Sequence, residues 1–540
     1  MKSKYRVIVV AAFVLWTIVS FVFFQIFYKY HLLHRLDMQL FLYSRDYVLG
    51  YFGHPAWLAS LAGDFLTQSF YFNVAGALVQ TFVILALGIL FYQSLGRIVP
   101  FFQNNGECDM KSRLWMRIVL SLCVMTWELF RSCGLEYNLS STLALVGGLT
   151  LFLLYLQVPF RVRYVSAVLL PLLAYWLFGY GLWILLFFIL LCELRSRHYI
   201  LALACLVVSV TIPFLLRQSY ALTVPQSMKY PSALFWNKPD FTIEKLLEMD
   251  VLGFNNQWYA VSQLSAQYNM RSGIASYFYN LSHAICNELP DKVMDYYQPG
   301  VFGLLFQLNP KTPFLAIWSS NEVWFQLGDM TMAEHSALLG MIFSPNHRSV
   351  RMVKRLAEIN MVNGDTAAAM KYLCILQKTW LYNSWANERI PGKESDKIKT
   401  WLHEKRSFIP QTDTIRDVVN PAMSLRLLLD SNRANKLALD YLLCYDLLAK
   451  DIPAFMSDYD TYRLPKHEAA ERIYAQALLI GLAMQRTPAE DVRKYMIAPE
   501  IFADFETYTG LYEKNDLGRS RLADQFGKTY WFYYHFATFK

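Results

Sequence analysis

A change in character near Lys238 constrains the fold of this chain more than any other feature. Before Lys238 the sequence is a series of long apolar segments, and after it the pattern is that of a water-soluble helical protein. This change predicts an all-α protein: a polytopic transmembrane helix bundle over 1–216, a linker at 217–239 and a soluble helical domain over 240–540. The tail is long enough to bury a core of its own.

The apolar runs predict about seven transmembrane spans. They are expected at 7–28, 72–94 and 114–133, within 137–160, as two short helices in 164–192, and at 199–216. Lys2, Lys4 and Arg6 precede the first span, and basic residues mark each later loop on the same side, so the N-terminus is expected in the cytoplasm. Seven crossings then deliver the tail to the opposite side of the membrane.

The number of crossings depends on 164–192, which contains no charged residue. A stretch of this length suits either one long tilted helix or a tight pair of short helices. Gly179 and Gly181 lie at its middle with Trp176 and Trp183 beside them, which favours a turn at the membrane interface and therefore the pair. A single helix would instead leave the tail in the cytoplasm.

The first outer loop, 30–70, is patterned like two amphipathic helices on the membrane surface. The first is indicated by apolar and aromatic residues at helical spacing, namely Leu36, Leu40, Tyr43, Tyr47 and Tyr51. The second is expected from Trp57 to Phe70. If the first helix is continuous, Asp37 and Ser44 share a face and Asp46 lies about half a turn away.

With these features the N-terminal part, about 1–216, resembles the GT-C class of polyprenyl-phosphate-dependent glycosyltransferases. That class has a large first outer loop, an essential acid shortly after the first span and often a second acid before the fourth. Asp37, in His34-Arg35-Leu36-Asp37-Met38-Gln39, and Glu136, in Gly134-Leu135-Glu136-Tyr137-Asn138, occupy these places. The resemblance therefore implies that both are catalytic. The loop departs from the class in lacking an Asp-Asp or Asp-x-Asp pair, and spans beyond the seventh are absent.

The chemistry explains why such an enzyme needs these residue types. A carboxylate can act as general base toward an acceptor hydroxyl, or hold a divalent metal ion beside the lipid phosphate. Arg35, Arg45 and Arg131 could bind phosphate oxygens. The alternatives are that both acids are simply exposed loop residues and that Arg131 forms a structural salt bridge with Glu128.

The tail carries a repeated pattern that predicts an α-solenoid of TPR-like helical hairpins. Gly328-Asp329 with Ala333 recurs as Gly364-Asp365 with Ala369, and Pro345 follows the first copy. Stacked hairpins leave a concave surface for a protein partner. The aromatic end at 528–536 could either dock such a partner or cap the last repeat.

Taken end to end, the chain resembles a family of Bacteroidota membrane proteins with a polytopic N-terminal half and a repeat-like tail. The residues that carry this likeness are Asp37-Met38-Gln39-Leu40-Phe41, Asn435-Lys436-Leu437-Ala438-Leu439-Asp440-Tyr441-Leu442 and Thr529-Tyr530-Trp531-Phe532-Tyr533-Tyr534. The resemblance implies a multi-pass protein of a Gram-negative inner membrane with a periplasmic tail, but no activity.

Three functions remain open. The favoured hypothesis is a transferase that moves a sugar from a polyprenyl-phosphate carrier to a cell-envelope acceptor bound by the repeats. The alternative is a non-catalytic membrane-anchored scaffold for envelope assembly or export. A transporter is the weakest hypothesis, because the spans contain few charged residues. The formal charge of +8 comes without a basic run of five or more, so nucleic acid is not an expected partner, whereas membrane lipids are.

Overall fold

The computed structural model describes residues 2–98, 110–232, 235–411, 416–417, 419–513 and 518–538. Within these ranges the backbone forms helices and connecting loops, and no β-strand occurs. The prediction of an all-α protein is confirmed for this part of the chain. Two compact units are present: unit 1 comprises 1–244, 348–351 and 375–386, and unit 2 comprises 245–347, 352–374 and 387–540.

Unit 1 contains the helices predicted from the apolar runs and several shorter ones. In chain order they are α1 (Lys2–Val22), α2 (Lys29–Asp37), α3 (Arg45–Gly50), α4 (Trp57–Thr67), α5 (Ala75–Ile98), α6 (Met110–Arg131), α7 (Leu139–Tyr155), α8 (Phe160–Phe178), α9 (Gly181–Arg195), α10 (Tyr199–Leu216) and α11 (Val224–Lys229).

Four helical stretches in the described part of the chain are long and apolar enough to cross a membrane. They are Tyr5–Phe27, Ala75–Ile98, Arg161–Phe178 and Tyr199–Leu216. Helix α7 is apolar but shorter, α6 is interrupted by charged residues, and α9 has only 15 residues. These helices are compatible with a membrane protein, and the count of seven spans stays a prediction.

Helix α8 ends at Phe178 and α9 begins at Gly181, so the helix is interrupted where the sequence predicts a turn. Gly179 adopts a left-handed backbone with φ of 55°, a conformation that a residue with a Cβ rarely tolerates. The backbone N–H of Tyr180 donates to the carbonyl of Tyr230, 2.8 Å away, and Ala56 donates to the carbonyl of Tyr175 at 3.1 Å. The turn therefore lies at the end of the bundle that also holds the first loop and the segment after α10.

The first loop differs from its prediction. The single helix expected from Leu36 to Tyr51 is wrong, because α2 ends at Asp37 and the backbone from Gln39 to Ser44 is not helical. Backbone groups in this gap bond to distant parts of unit 1: the carbonyl of Gln39 accepts from Val350 at 2.9 Å, and the N–H of Tyr43 donates to Lys378 at 2.7 Å. These bonds replace those of a helix, so the predicted shared face of Asp37 and Ser44 does not form.

The N-terminus of α2 is held by a residue far along the chain. Glu244 accepts from the backbone N–H groups of Tyr30 at 2.7 Å and His31 at 3.2 Å, and it also contacts the ring Nδ1 of His31 at 2.5 Å. The first turn of a helix has unpaired N–H groups and favours a negative charge. Glu244 supplies both an acceptor and that charge.

The helices that follow α11 lie wholly or partly in unit 2. They are α12 (Phe241–Phe254), α13 (Trp258–Tyr268), α14 (Gly273–Ile285), α15 (Leu289–Lys292), α16 (Phe314–Leu327), α17 (Met330–Ile342), α18 (Val350–Asn363), α19 (Thr366–Leu376), α20 (Asn383–Asn387), α21 (Asp396–Arg406), α22 (Pro421–Ser431), α23 (Lys436–Leu448), α24 (Ile452–Asp458), α25 (Arg472–Gln485), α26 (Ala489–Val492), α27 (Pro499–Tyr512), α28 (Gly518–Phe526) and α29 (Tyr530–Phe536).

The repeated glycine-aspartate pair of the sequence has the same structure twice. Gly328 ends α16 with φ of 99° and Gly364 follows α18 with φ of 80°. In each copy the next aspartate caps the next helix: Asp329 accepts from Met332 at 3.1 Å, and Asp365 from Ala368 at 2.9 Å. Helices α16 and α17 pack against each other as a hairpin, whereas the stacking of such hairpins into a solenoid stays a prediction.

The aromatic C-terminal segment packs inside unit 2. Tyr530 and Trp531 of α29 are fully buried. The Trp531 Nε1 donates to the carbonyl of Gln476 in α25 at 2.8 Å, and the Tyr530 hydroxyl donates to the carbonyl of Leu447 in α23 at 3.0 Å. Of the two predicted roles for this segment, the contacts are those of a capping helix.

Candidate functional site

Asp37 lies at the end of α2 and is buried, with 8% of its surface exposed. Its carboxylate Oδ2 is 3.6 Å from the Nη1 of Arg351, which is 1% exposed. The Ser349 hydroxyl also donates to the Asp37 carbonyl at 2.8 Å. The acid predicted as general base therefore has a cationic partner within unit 1.

Glu136, the second predicted acid, is in a different environment. It is exposed in the turn between α6 and α7, and it is not part of the Asp37–Arg351 ion pair. Arg45, at the start of α3, is exposed as well. Glu136 and Arg45 are thus exposed where Asp37 is buried, and the catalytic and phosphate-binding roles of the three stay predictions.

The other two predicted arginines are buried and bonded to the protein. Arg35 Nη2 donates to the carbonyls of Ser132 and Gly134, and its guanidinium lies 4.6 Å from the Tyr137 ring centroid. It holds the turn before Glu136 against α2. Its Nε and Nη1 are buried and have no acceptor among the described residues, so its predicted role in phosphate binding stays a prediction.

Arg131 is paired in the way that the structural alternative predicts. Its Nε and Nη2 donate to the two carboxylate oxygens of Glu128 at 2.8 and 2.7 Å, a bidentate arrangement. Its Nη1 donates to the hydroxyls of Tyr180 at 2.9 Å and Ser232 at 3.2 Å. Each terminal nitrogen of Arg131 thus has a partner.

A polar cluster that sequence reasoning missed surrounds Asp64, in the middle of α4. The Tyr51 hydroxyl donates to Asp64 Oδ2 at 2.6 Å, and Gln39 Nε2 donates to Oδ1 at 3.3 Å. Tyr47 extends the network, with its hydroxyl 3.0 Å from that of Tyr51, and the exposed Arg348 lies over the Tyr47 ring at 5.4 Å. We call these five residues the Asp64 cluster.

Burial and hydrogen bonding act in opposite directions on Asp64. Desolvation raises the pKa of its carboxyl to about 6, while the bond from Tyr51 and the charge of Arg348 lower it. Burial and the adjacent carboxylate raise the pKa of Tyr51. One feature of the sequence points to Asp64: it is the only Asp, Glu, Lys or Arg between Asp46 and Arg97.

A family model that matches residues 3–537 is described as a family of unknown function, DUF6057. The chain belongs to this family. No curated protein and no solved structure matches it. The DUF6057 match runs through both units.

Metal ligands are sparse in the described part of this DUF6057 protein. Within those ranges, no group of three or more His, Cys, Asp or Glu side chains is placed to hold a metal ion. Mg²⁺ in phosphate chemistry often takes only one or two carboxylates and completes its shell with water and substrate oxygens. A divalent ion near Asp37 or Asp64 would have to bind in that way.

Proposed function

We propose that this protein is a multi-pass inner-membrane scaffold that anchors a TPR-like helical domain in the periplasm and presents it to a protein partner of the cell envelope. The observation that carries the proposal is the ion pair of Asp37 with Arg351. The acid at the place expected for a catalytic base is used to join the first loop to a segment that follows it by more than 300 residues.

Neighbouring contacts support the same role for the loop. Val350 and Lys378 bond to the backbone of the loop at Gln39 and Tyr43, and Trp380 packs on Phe72 with ring centroids 5.4 Å apart. These residues come from the segments 348–351 and 375–386, which belong to unit 1 although the sequence places them in the tail. The first loop thus binds two segments of the later sequence to unit 1, which explains why a non-catalytic anchor would need so long a loop.

The arrangement of helix ends supports a periplasmic tail. The Tyr28 hydroxyl, after α1, accepts from the backbone N–H of Asp240 at 2.9 Å, and Glu244 caps α2. The start of the tail is therefore at the same end of unit 1 as the first loop. An even number of crossings between them, the last six of the predicted seven, gives this arrangement.

The side of the membrane can be tested with a residue that the chain already has. Cys374 is exposed in unit 2. In cells whose outer membrane has been permeabilised, a membrane-impermeant maleimide is expected to label the full chain, and Cys374→Ser is expected to remove most of that label. Labelling of Cys374 only after the inner membrane is lysed would contradict the proposal.

The role of Asp37 can be tested by comparing single and paired substitutions. Asp37→Asn removes the negative charge that faces the buried Arg351, so we expect less folded protein and a phenotype like that of a gene deletion. Replacing both partners, as Asp37→Leu with Arg351→Met, removes the buried charge and is expected to restore protein level and phenotype together. A paired variant that is present at normal level but remains inactive would favour catalysis by Asp37. Deleting the tail is a poorer test, because it also removes parts of unit 1.

A second candidate function, the GT-C-like transferase, is favoured by the Asp64 cluster. A carboxyl whose pKa lies near 6 and which is hydrogen-bonded to a tyrosine is suited to general-base catalysis at neutral pH. The exposed guanidinium of Arg348 is the group that would attract a lipid phosphate. Asp64, rather than Asp37, would then be the base.

This candidate makes a separate prediction. Asp64→Asn keeps the hydrogen-bonding shape of the carboxyl but cannot accept a proton, so the transferase hypothesis expects loss of complementation with normal protein level. Asp46→Asn, at an exposed acid of α3, is the matched control. The scaffold proposal expects both variants to complement.

A further inference from the structure

The end of the bundle opposite the first loop contains a cavity that neither candidate function uses. It has a volume of about 500 Å³ and lies between the end of α5, the first half of α6 and the end of α7. Gln93 and Gln157 provide polar side chains in its lining, and Leu153 and Leu156, both half-buried, provide an apolar wall. A site that combines both surfaces suits a molecule with a polar head and an apolar tail.

Arg117 is held so that part of its guanidinium remains available to the cavity. Its Nη2 donates to the carbonyl of Tyr92 at 3.0 Å, and the group lies over the Tyr92 ring at 4.0 Å. Its Nε is a buried donor for which the described residues provide no acceptor. Gly96 faces the guanidinium so closely that any side chain there would collide with it. A buried donor without an acceptor is costly unless a ligand or water satisfies it.

Arg97 gives the cavity a second positive charge. It is exposed at the end of α5 and lines the same space as Arg117. None of the described lining residues is acidic. Two guanidinium groups in a lining whose described residues include no carboxylate attract an anion, and guanidinium matches the oxygens of phosphate in particular.

We propose that this cavity binds the phosphate of an anionic membrane lipid, with Arg97 and Arg117 on the phosphate and the leucine wall against the first carbons of the acyl chains. Basic pockets between transmembrane helices on the cytoplasmic side are suited to such headgroups. The basic loops place this end of the bundle on that side. The site is independent of the Asp37 and Asp64 residues.

The test uses the full chain in a neutral detergent and dioctanoyl phosphatidylglycerol as probe, with dioctanoyl phosphatidylcholine and inorganic phosphate as separate arms. Binding is followed by the rise in melting temperature and by native mass spectrometry. We expect phosphatidylglycerol to bind more tightly than phosphatidylcholine, and Arg97→Gln with Arg117→Gln to weaken its binding by about 30-fold. The control is Arg195→Gln with Arg197→Gln, two exposed arginines at the same end of the bundle that do not line the cavity.

Each outcome decides the proposal. Equal weakening by both pairs of substitutions, or equal binding of the two lipids, would overturn it, because the effect would then be general surface charge. If inorganic phosphate stabilises the protein as strongly as phosphatidylglycerol and the Arg97 pair abolishes this, the phosphate site is supported and the lipid source is overturned. If the double variant does not fold, Arg97→Gln alone changes only an exposed residue and is expected to weaken binding about fivefold.

Discussion

In unit 1 the buried acid Glu128 has an arginine of its own, whereas in unit 2 two buried acids, Asp446 and Asp458, lie beside the single Arg426. Glu128 and Arg131 form a bidentate pair. Arg426 donates to both oxygens of Asp458 at 2.8–3.0 Å, and Asp446 interacts with Asp458. Burial, together with the charge of Asp458, raises the pKa of Asp446 to about 9.

The two sites neutralise buried charge in different ways. Glu128 of α6 is stable because a partner of opposite charge neutralises it. Asp446 is instead neutralised by a proton, although Asp329 and Glu322 of the same unit have arginine partners. The predictions that follow test whether an arginine neutralises Glu128 and a proton neutralises Asp446.

The largest effect is expected in unit 1. Arg131→Met leaves Glu128 buried without a counter-charge, which typically costs about 3–5 kcal/mol. We expect little folded protein in detergent, as measured by size-exclusion chromatography and thermal melts. Adding Glu128→Gln removes the unpaired charge and is expected to recover most of the loss. If the double variant is no more stable than Arg131→Met, the loss of stability does not come from the unpaired charge of Glu128.

Within unit 2 the two copies of the glycine-aspartate connection should differ. Asp329 is fully buried and its Oδ2 accepts from Arg416 Nε at 2.9 Å, whereas Asp365 is exposed and caps its helix only. Asp365→Ala is expected to cost about 1 kcal/mol. Asp329→Ala, which also removes the ion pair with Arg416, is expected to cost at least about 2 kcal/mol more. Equal shifts in melting temperature for the two variants would contradict this ranking.

The proton on Asp446 predicts a pH dependence. The folded-state pKa of about 9 is far above the ordinary value for aspartate, so the folded chain holds a proton that the unfolded chain releases. The contribution of this group to stability is complete below about pH 4 and is lost as pH rises through about 9. Asp446→Asn is expected to become progressively more stable than the wild type between those limits. Parallel melting curves for the two proteins from pH 5 to pH 9 would argue against a protonated acid.

The smallest effect is expected where charge is exposed. Glu136→Gln and Arg45→Gln change side chains in solvent, so each is expected to shift stability by less than about 0.5 kcal/mol. If either variant abolishes complementation with an unchanged melting temperature, the residue acts on a ligand and the transferase hypothesis gains support.

Local features of the sequence predicted the structure well. The turn at Gly179 and the helix ends at Gly328 and Gly364 were predicted because glycine acts within a few residues of its own position. The Glu128–Arg131 pair was among the predicted alternatives, since the two residues are neighbours on one helical face. These interactions depend on short spacings that a sequence displays directly.

Contacts between distant residues could not be predicted in this way. The periodic residues from Leu36 to Tyr51 suggested one helix, but the loop backbone bonds to Val350 and Lys378 instead. Asp37 was identified as a residue of interest, but its partner Arg351 gave no indication in the sequence. Asp64 was missed because a single acid in a helix shows its importance only when Tyr51 and Gln39 are seen beside it.

The bond from Ser349 to the carbonyl of Asp37 joins residues 312 positions apart. At the usual speed of translation, roughly 15–60 s pass between synthesis of these two residues. During that interval the nascent loop has no backbone partners from 348–350 or 378 and is exposed to proteases and chaperones. Folding of the first loop is therefore completed late in synthesis. A ribosome stalled before residue 348 produces a chain that lacks the segments to which this loop bonds in unit 1.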